Sequence, residues 1–354
     1  MKRISDIDPT VLANFRRGTV IPAQPLALDS DRKFSPQYQR ATTRYYIDAG
    51  AGGIAVGVHS TQFEIRDPKI ALFEPVLSET SRFIDEWCAK RGHKILKVAG
   101  VCGKSAQAVA EAEFAVKSGY DCALVSLAAY ADGTVEEMLE HCRIIAGILP
   151  IIGFYLQPSV GGRVLPYEFW RSFAEIDNVL GIKMAPFNRY CTFDVVRAVA
   201  ESGSDITLYT GNDDNILVDL LTPYVINGNT FRIKGGLLGH WCVWTQKAIE
   251  LLNEIHALID SGKTDIPVEL LTRNVQITDS NAAFFDPAHG FAGCIPGIHE
   301  VLRRQGLLLG TWCLNPNEVL SPGQSEEIDR VYTAYPNLND DAFVAANLSE
   351  WLNG

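Results

Sequence analysis

Lys183 has the most chemically suggestive setting in the chain. It sits in the run Asn178-Val179-Leu180-Gly181-Ile182-Lys183-Met184-Ala185-Pro186, where an apolar strand pattern ends in a lysine just ahead of a proline-bearing loop. A lysine pointing into an apolar interior is costly to keep as a cation. Its pKa falls, and more of it stands as free amine able to attack a carbonyl. The iminium so formed is an electron sink. It acidifies the adjacent carbon, and C–C bonds break or form through an enamine. The run is equally compatible with an outward lysine whose stem lies along neighbouring helices while its head reaches water.

Other polar groups fall at the ends of apolar runs. Tyr155 closes Ile151-Ile152-Gly153-Phe154-Tyr155 and precedes Leu156-Gln157-Pro158. A phenol beside a Schiff-base lysine relays protons to and from the carbinolamine. Taken alone, the residue is better read as a core aromatic with its hydroxyl on a carbonyl. In Gly57-Val58-His59-Ser60-Thr61-Gln62, hydroxyls and backbone amides offer a grip on a carboxylate, and His59 is expected, from residue type alone, to titrate near neutrality. A polar turn without a ligand is the commoner outcome for such a stretch. Gly235-Gly236 allows close backbone approach by a ligand or simply makes a tight turn. In Gly211-Asn212-Asp213, Asn212 or Asp213 also suits the cap of a following helix.

Metal chemistry finds little support. His289, Cys294 and His299 are near one another but fit no zinc spacing, and no Glu, Asp and His cluster gathers at strand ends. No cofactor is expected. The formal net charge of -11 argues against a nucleic-acid partner. Eight cysteines, none in a C-x-x-C pair, read as reduced and buried, which points to a cytoplasmic location. The N-terminus lacks a signal-peptide pattern, and the longest apolar runs, about eight residues, are too short to span a bilayer.

The elements that must position these residues alternate regularly. Apolar runs at residues 18–24, 53–58, 94–101, 122–127, 151–157, 179–185, 206–211 and 233–238 read as strands, with helical periodicity between them. Thr134 and Glu137 have capping-box spacing, Pro166 stands early in a helix, and Gly119 follows a helical run. Eight such units predict a (β/α)8 TIM barrel, with active-site groups at the C-terminal strand ends. The glycines at positions 50, 52 and 53 precede their strand, which disfavours a nucleotide-binding doubly wound sheet. From residue 266 the alternation stops. Helices are predicted at residues 268–279, 281–285, 297–305, 325–335 and 340–351, so the chain divides into a catalytic barrel (1–265) and a helical C-terminal region packed on it (266–354).

In this order, the polar loop of strand two, the aromatic after strand four, Tyr155-x-x-Pro158, Gly181-Ile182-Lys183, Gly211-Asn212-Asp213 and Gly235-Gly236 make the chain resemble the dihydrodipicolinate synthase and N-acetylneuraminate lyase family from about Gly18 to its end. The resemblance implies a Schiff-base lyase or class I aldolase acting on pyruvate or a related 2-oxo acid, with an aldehyde as second substrate. It implies Lys183 as the Schiff-base lysine, Tyr155 as proton relay and Tyr130 as the aromatic reaching a neighbouring subunit's site. His59, Ser60 and Thr61 would grip the carboxylate, with Gly211, Asn212, Gly235 and Gly236 completing substrate binding. It also implies a homo-oligomer, dimer or tetramer.

The departures are specific. Val58 and His59 stand where the family commonly has a Thr-Thr pair, Val160 stands where dihydrodipicolinate synthases carry arginine, with Arg163 displaced, and Ala129 precedes Tyr130. They point away from lysine biosynthesis. A lyase using another aldehyde leads, followed by a hydro-lyase acting on a deoxy-sugar acid through the same lysine, and by a barrel that binds a keto acid without turnover.

Overall fold

The eight apolar runs are buried on both faces, as parallel strands covered by helices must be. The computed structural model describes all 354 residues. Its strands are β1 (Val20–Pro22), β2 (Gly53–Val56), β3 (Leu96–Val101), β4 (Cys122–Val125), β5 (Ile151–Leu156), β6 (Val179–Ala185), β7 (Thr207–Thr210), β8 (Tyr224–Ile226), β9 (Asn229–Phe231) and β10 (Gly235–Leu238). Eight of them form one parallel sheet in the order β1-β10-β7-β6-β5-β4-β3-β2. The ring closes between β1 and β2, where Ala23 bridges Ala55 and the Gln24 amide donates to the Ala55 carbonyl at 2.9 Å. The result is a TIM barrel.

β8 and β9 form a separate antiparallel hairpin that the sequence reading did not include. Its Val225 is exposed, so no buried apolar run announces it. Between the barrel strands, local chemistry sets the helix ends. Thr134 and Glu137 make a reciprocal capping box at the start of the helix Val135–Ala146. Gly119, at φ +82°, turns the chain after the helix Ser105–Lys117.

Beyond the barrel lie the helices Val268–Phe285, Cys294–Arg304, Gln324–Ala334 and Asp341–Asn353. The first is continuous where the sequence suggested two, because Ser280 turns its hydroxyl back to the Gln276 carbonyl at 2.8 Å and does not break the helix. The last docks on the helix Pro36–Ala49: the fully buried Trp351 donates its indole N–H to Asp48 at 2.8 Å, and Arg44 donates to the Trp351 carbonyl at 2.8 Å. The helix Cys294–Arg304 and the chain before it lean over the C-terminal ends of the strands, so this region also walls the site.

Candidate active site

The register between β5 and β6 decides which side chains meet Lys183. At the start of the pair Ile151 stands opposite Val179. Continued without interruption, that pairing would set Tyr155 opposite Lys183. A bulge intervenes: Ile152 pairs with Gly181, leaving Leu180 unmatched, and the register slips by one residue. Phe154 therefore pairs with Lys183, and Tyr155 with Met184. Side chains alternate between the two faces of a strand, so a slip of one exchanges the residue that faces inward. Lys183 Nζ lies 4.3 Å from the centre of the Phe154 ring inside the barrel.

Tyr155 is thus turned toward the helical layer, and its expected place beside the lysine is corrected. Its ring packs 5.4 Å from that of Trp170. Its hydroxyl accepts from the Leu165 amide at 3.1 Å and lies 3.3 Å from the Leu165 carbonyl. No phenol lines the lysine's pocket.

That pocket opens at the C-terminal end of the barrel. Its polar groups are Lys183, His59, Ser60, Gln157, Asp213 and Cys294, and Gly211 forms part of the floor. Lys183 is only 8 % exposed. Burial pulls its pKa down, while the negative field of Asp213 and, behind it, Cys242 works against the fall. Burial pushes the Asp213 carboxyl up, opposed by the lysine's charge and by the His240 amide, which donates to its Oδ1 at 3.3 Å. Burial, with a smaller contribution from Lys183, lowers His59 to about 4, so its ring is neutral near pH 7. An amine pulled down to about 8 and a carboxyl pushed up to about 7 line one pocket, an arrangement suited to proton exchange around a carbonyl.

Of the remaining sequence-predicted residues, His59, Ser60 and Gly211 reach this pocket with Lys183. The others do not, for separate reasons. Thr61 is spent on the turn itself, donating its hydroxyl to the Gln24 carbonyl at 2.8 Å and accepting from the Gly57 amide at 3.0 Å. Asn212 lies behind the wall, where it accepts from the Phe187 amide at 3.0 Å and donates to Asp219 at 2.9 Å. Gly235 and Gly236 pack within the strand layer, where a Cβ would meet Thr19 and Trp241 respectively. Tyr130 is buried outside the pocket lining, its hydroxyl 3.0 Å from Ser105 Oγ and 3.3 Å from His141 Nδ1. Arg163 donates to the Tyr130 and Gly133 carbonyls, both at 2.7 Å, which leaves the pocket without an arginine.

Sequence reasoning missed Phe154, Gln157 and the acidic role open to Asp213, which it had weighed only as a helix cap. It also missed the tail residues Phe285, Phe291 and Ile298, which line the pocket. Alternation along β5 carried the signal for Phe154 once the bulge is known. Nothing local marked the tail aromatics, because they reach the pocket only through tertiary packing.

Two structural braces hold this arrangement. Arg66 donates to the Gly57 and Gly100 carbonyls at 2.9 Å each and pairs with Glu111 at 2.9 Å, which fixes the turn leading to His59. Asp286 holds the loop bearing Phe291: it accepts from the Gly293 amide at 3.1 Å and from Ser321, and its own carbonyl receives the Phe291 amide at 2.9 Å.

Comparisons with known proteins agree with this architecture. Among solved structures, a dihydrodipicolinate synthase from Acinetobacter baumannii complexed with pyruvate superposes with a TM-score of 0.71 at 19 % identity, over 89 % of this chain and 98 % of that one. N-acetylneuraminate lyase from Fusobacterium nucleatum gives 0.68 at 17 % identity, over 90 % and 99 %. At these identities the likeness is one of fold. In sequence, an uncharacterised DapA-like lyase of Halobacterium salinarum is 29 % identical over 169 residues, 46 % of this chain and 52 % of the relative. A 4-hydroxy-tetrahydrodipicolinate synthase of Alkaliphilus oremlandii is 34 % identical over 101 residues, 28 % of this chain and 33 % of the relative. The chain thus spans about half the length, or less, of these curated relatives. No helix is long and apolar enough to cross a membrane. The model of the dihydrodipicolinate synthetase family matches residues 18–223, more than half of the sequence and the whole run from β1 to the end of β7, and the chain belongs to that family.

Proposed function

We propose that this protein is a Schiff-base lyase acting on pyruvate or a related 2-oxo acid, with Lys183 as the amine. The observation that carries the reading is the position of Lys183: buried in the barrel, at the C-terminal end of β6, in a pocket with a titratable carboxyl. Family membership supports the same reaction class.

The steps follow from the groups present. The neutral amine of Lys183 adds to the C2 ketone and gives a carbinolamine. Protonation of its hydroxyl, with loss of water, gives the iminium. In the cleavage direction a base takes the proton of the C4 hydroxyl, and the C3–C4 bond breaks. Its electron pair flows into the iminium as an enamine, and an aldehyde departs. Protonation of the enamine carbon and hydrolysis return the 2-oxo acid and the free lysine. With Tyr155 turned away, Asp213 takes the part of proton carrier, since its raised pKa lets it both hold and release a proton at working pH. Ser60 and the neutral His59 sit where a carboxylate can be received. Loss of water in place of C–C cleavage, from a deoxy-sugar acid, would use the same lysine.

A binding-only role is the reading that the outward turn of Tyr155 favours. One experiment separates the two: incubation with pyruvate and borohydride, followed by peptide mass spectrometry. Reductive labelling of Lys183 supports the lyase. Binding of pyruvate with an unmodified Lys183 supports the binding-only role. Assembly into a homo-oligomer is also proposed, and the exposed apolar residues Val268, Leu271 and Val275, on one helix at spacings of three and four, are in keeping with it.

A further inference from the structure

We propose that the 2-oxo acid or aldehyde accepted by this pocket carries an apolar, aromatic group, gripped at the mouth by Phe187 and Phe291, and not a polyhydroxyl chain or a second carboxylate. The inference rests on the Schiff-base reading and adds the substrate class to it.

The walls beyond the lysine are apolar. Leu156 ends β5, Val160 and Phe187 come from the barrel loops, and Phe285, Phe291 and Ile298 from the tail. Lys183 is the only cation lining the pocket, and Schiff-base formation consumes its amine. Arg163 cannot supply a second positive group, because it is tied to two backbone carbonyls away from the pocket. A second carboxylate would therefore be desolvated beside Asp213 with no partner. A polyhydroxyl chain would fare little better. Ser60 and His59 are the groups suited to the first carboxylate and Asp213 serves the lysine. That leaves Gln157 and the thiol of Cys294 to meet several hydroxyls, and each hydroxyl buried without a partner loses free energy.

The aromatic pair at the mouth is held in place against its own backbone preference. Phe187 has φ +51° and Phe291 has φ +68°, the left-handed region that a residue with a bulky side chain seldom occupies. Such conformations persist only where the surroundings fix them, and they gather at ligand sites. Two independent polar networks do the fixing. Asn212, anchored on Asp219, receives the Phe187 amide. Asp286, anchored by Ser321 and the Gly293 amide, receives the Phe291 amide on its carbonyl. The two rings meet edge to face, centroids 6.1 Å apart at 63°. A planar ligand ring can join that pair in the offset or edge-to-face geometries that aromatic groups prefer.

The test is borohydride labelling of Lys183 in the full chain with four probes: pyruvate, 4-phenyl-2-oxobut-3-enoate, a six-carbon 3-deoxy-2-oxo sugar acid and 2-oxoglutarate. We expect the phenyl compound to reach half-maximal labelling at a concentration at least about tenfold below the sugar acid and the dicarboxylate, the discrimination typical of a hydrophobic pocket. Phe291→Ala should shrink that ratio, and Phe291→Tyr, which keeps the ring, should restore it. If pyruvate labels Lys183 but the sugar acid or dicarboxylate matches the phenyl compound, the aromatic assignment falls and the Schiff-base reading stands. If no probe labels Lys183, both fall. Should Phe291→Ala not fold, Phe187→Ala tests the other half of the pair, and an unchanged ratio in that variant overturns the grip.

Discussion

Gly211 and Lys183 share one volume. A Cβ built on Gly211 would lie 2.7 Å from Lys183 Cε and 3.2 Å from its Cγ, with the Ala185 methyl at 2.9 Å on the other side. The lysine stem runs across the glycine on its way into the pocket, so the bare backbone of β7's end fixes where the amine of β6 arrives. The relationship joins two strands that are hydrogen-bonded neighbours, with Lys183 opposite Tyr209.

Gly211→Ala is therefore expected to displace the amine without unfolding the barrel. Misplacing a reacting group by about 1 Å costs on the order of 10²-fold in rate, and overpacking costs about 1–3 kcal/mol. Borohydride labelling with pyruvate should slow by that factor while the thermal transition stays cooperative. A folded variant that labels at the parental rate would show that the stem does not need this space.

Asp213→Asn separates field from proton transfer. The carboxylate raises the pKa of Lys183 against the pull of burial. Without it the amine loses its proton at lower pH, so the acidic limb of the labelling profile should move down. If Asp213 carries the proton, the plateau should also fall by about 10²–10⁴-fold. Stability gives a second readout. A carboxyl whose folded pKa is raised binds more protons in the folded state, so its contribution is full below the unfolded value near 3.8 and is lost as pH rises through the folded one. The parent should lose that increment on going from pH 3.8 toward neutrality, and the variant should not. A labelling limb that stays put would remove Asp213 from the electrostatics of the lysine.

The limits of the sequence reading have the same physical origin throughout. The eight strands were legible because burial on both faces writes continuous apolar runs, and Lys183 stood out as a charge near the C-terminal end of such a run. The hairpin of β8 and β9 was not, since its strands are short and partly exposed. Facing was the harder problem. The parity of a strand is set by pairing, and the unmatched Leu180 reversed the roles of Phe154 and Tyr155. Asn212 and Thr61 were drawn toward the site by position at strand ends, yet both are consumed by structural partners, Asn212 by the Phe187 amide and Asp219, Thr61 by the Gln24 carbonyl and the Gly57 amide. The pocket wall is built partly from residues about one hundred positions beyond Lys183, Phe285 and Phe291 among them, and no local pattern links them to it.

Tyr155→Phe gives a prediction opposite to the one its place in the sequence suggests. The hydroxyl serves the Leu165 backbone, so its loss should lower stability by about 1 kcal/mol, the usual net worth of such a bond. Labelling of Lys183 should stay within about threefold of the parent. Abolished labelling in a folded variant would mean that the phenol reaches the reaction after all.

Arg66 offers the last prediction, because it ties stability to the shape of the site. Its side chain and that of Glu111 are each less than 10 % exposed, and the guanidinium also lies 4.6 Å from the Phe73 ring centre. Glu111 is further engaged by the Cys102 amide at 3.0 Å and by Gln107 at 2.7 Å, so it stays in place when its cation is removed. Arg66→Met should then strand a buried carboxylate and two carbonyls, Gly57 and Gly100, at a cost of about 3–5 kcal/mol in denaturant unfolding. The added change Glu111→Leu should recover part of that loss. The effect on function follows from position: Gly57 opens the turn that carries His59 and Ser60, and once released the turn should hold a carboxylate less well. The concentration of pyruvate giving half-maximal labelling should rise, and the double variant should not restore it, since the carbonyl of Gly57 is still without its donor. Recovery of both stability and half-saturation in the double variant would reduce Arg66 to a partner for Glu111 and nothing more.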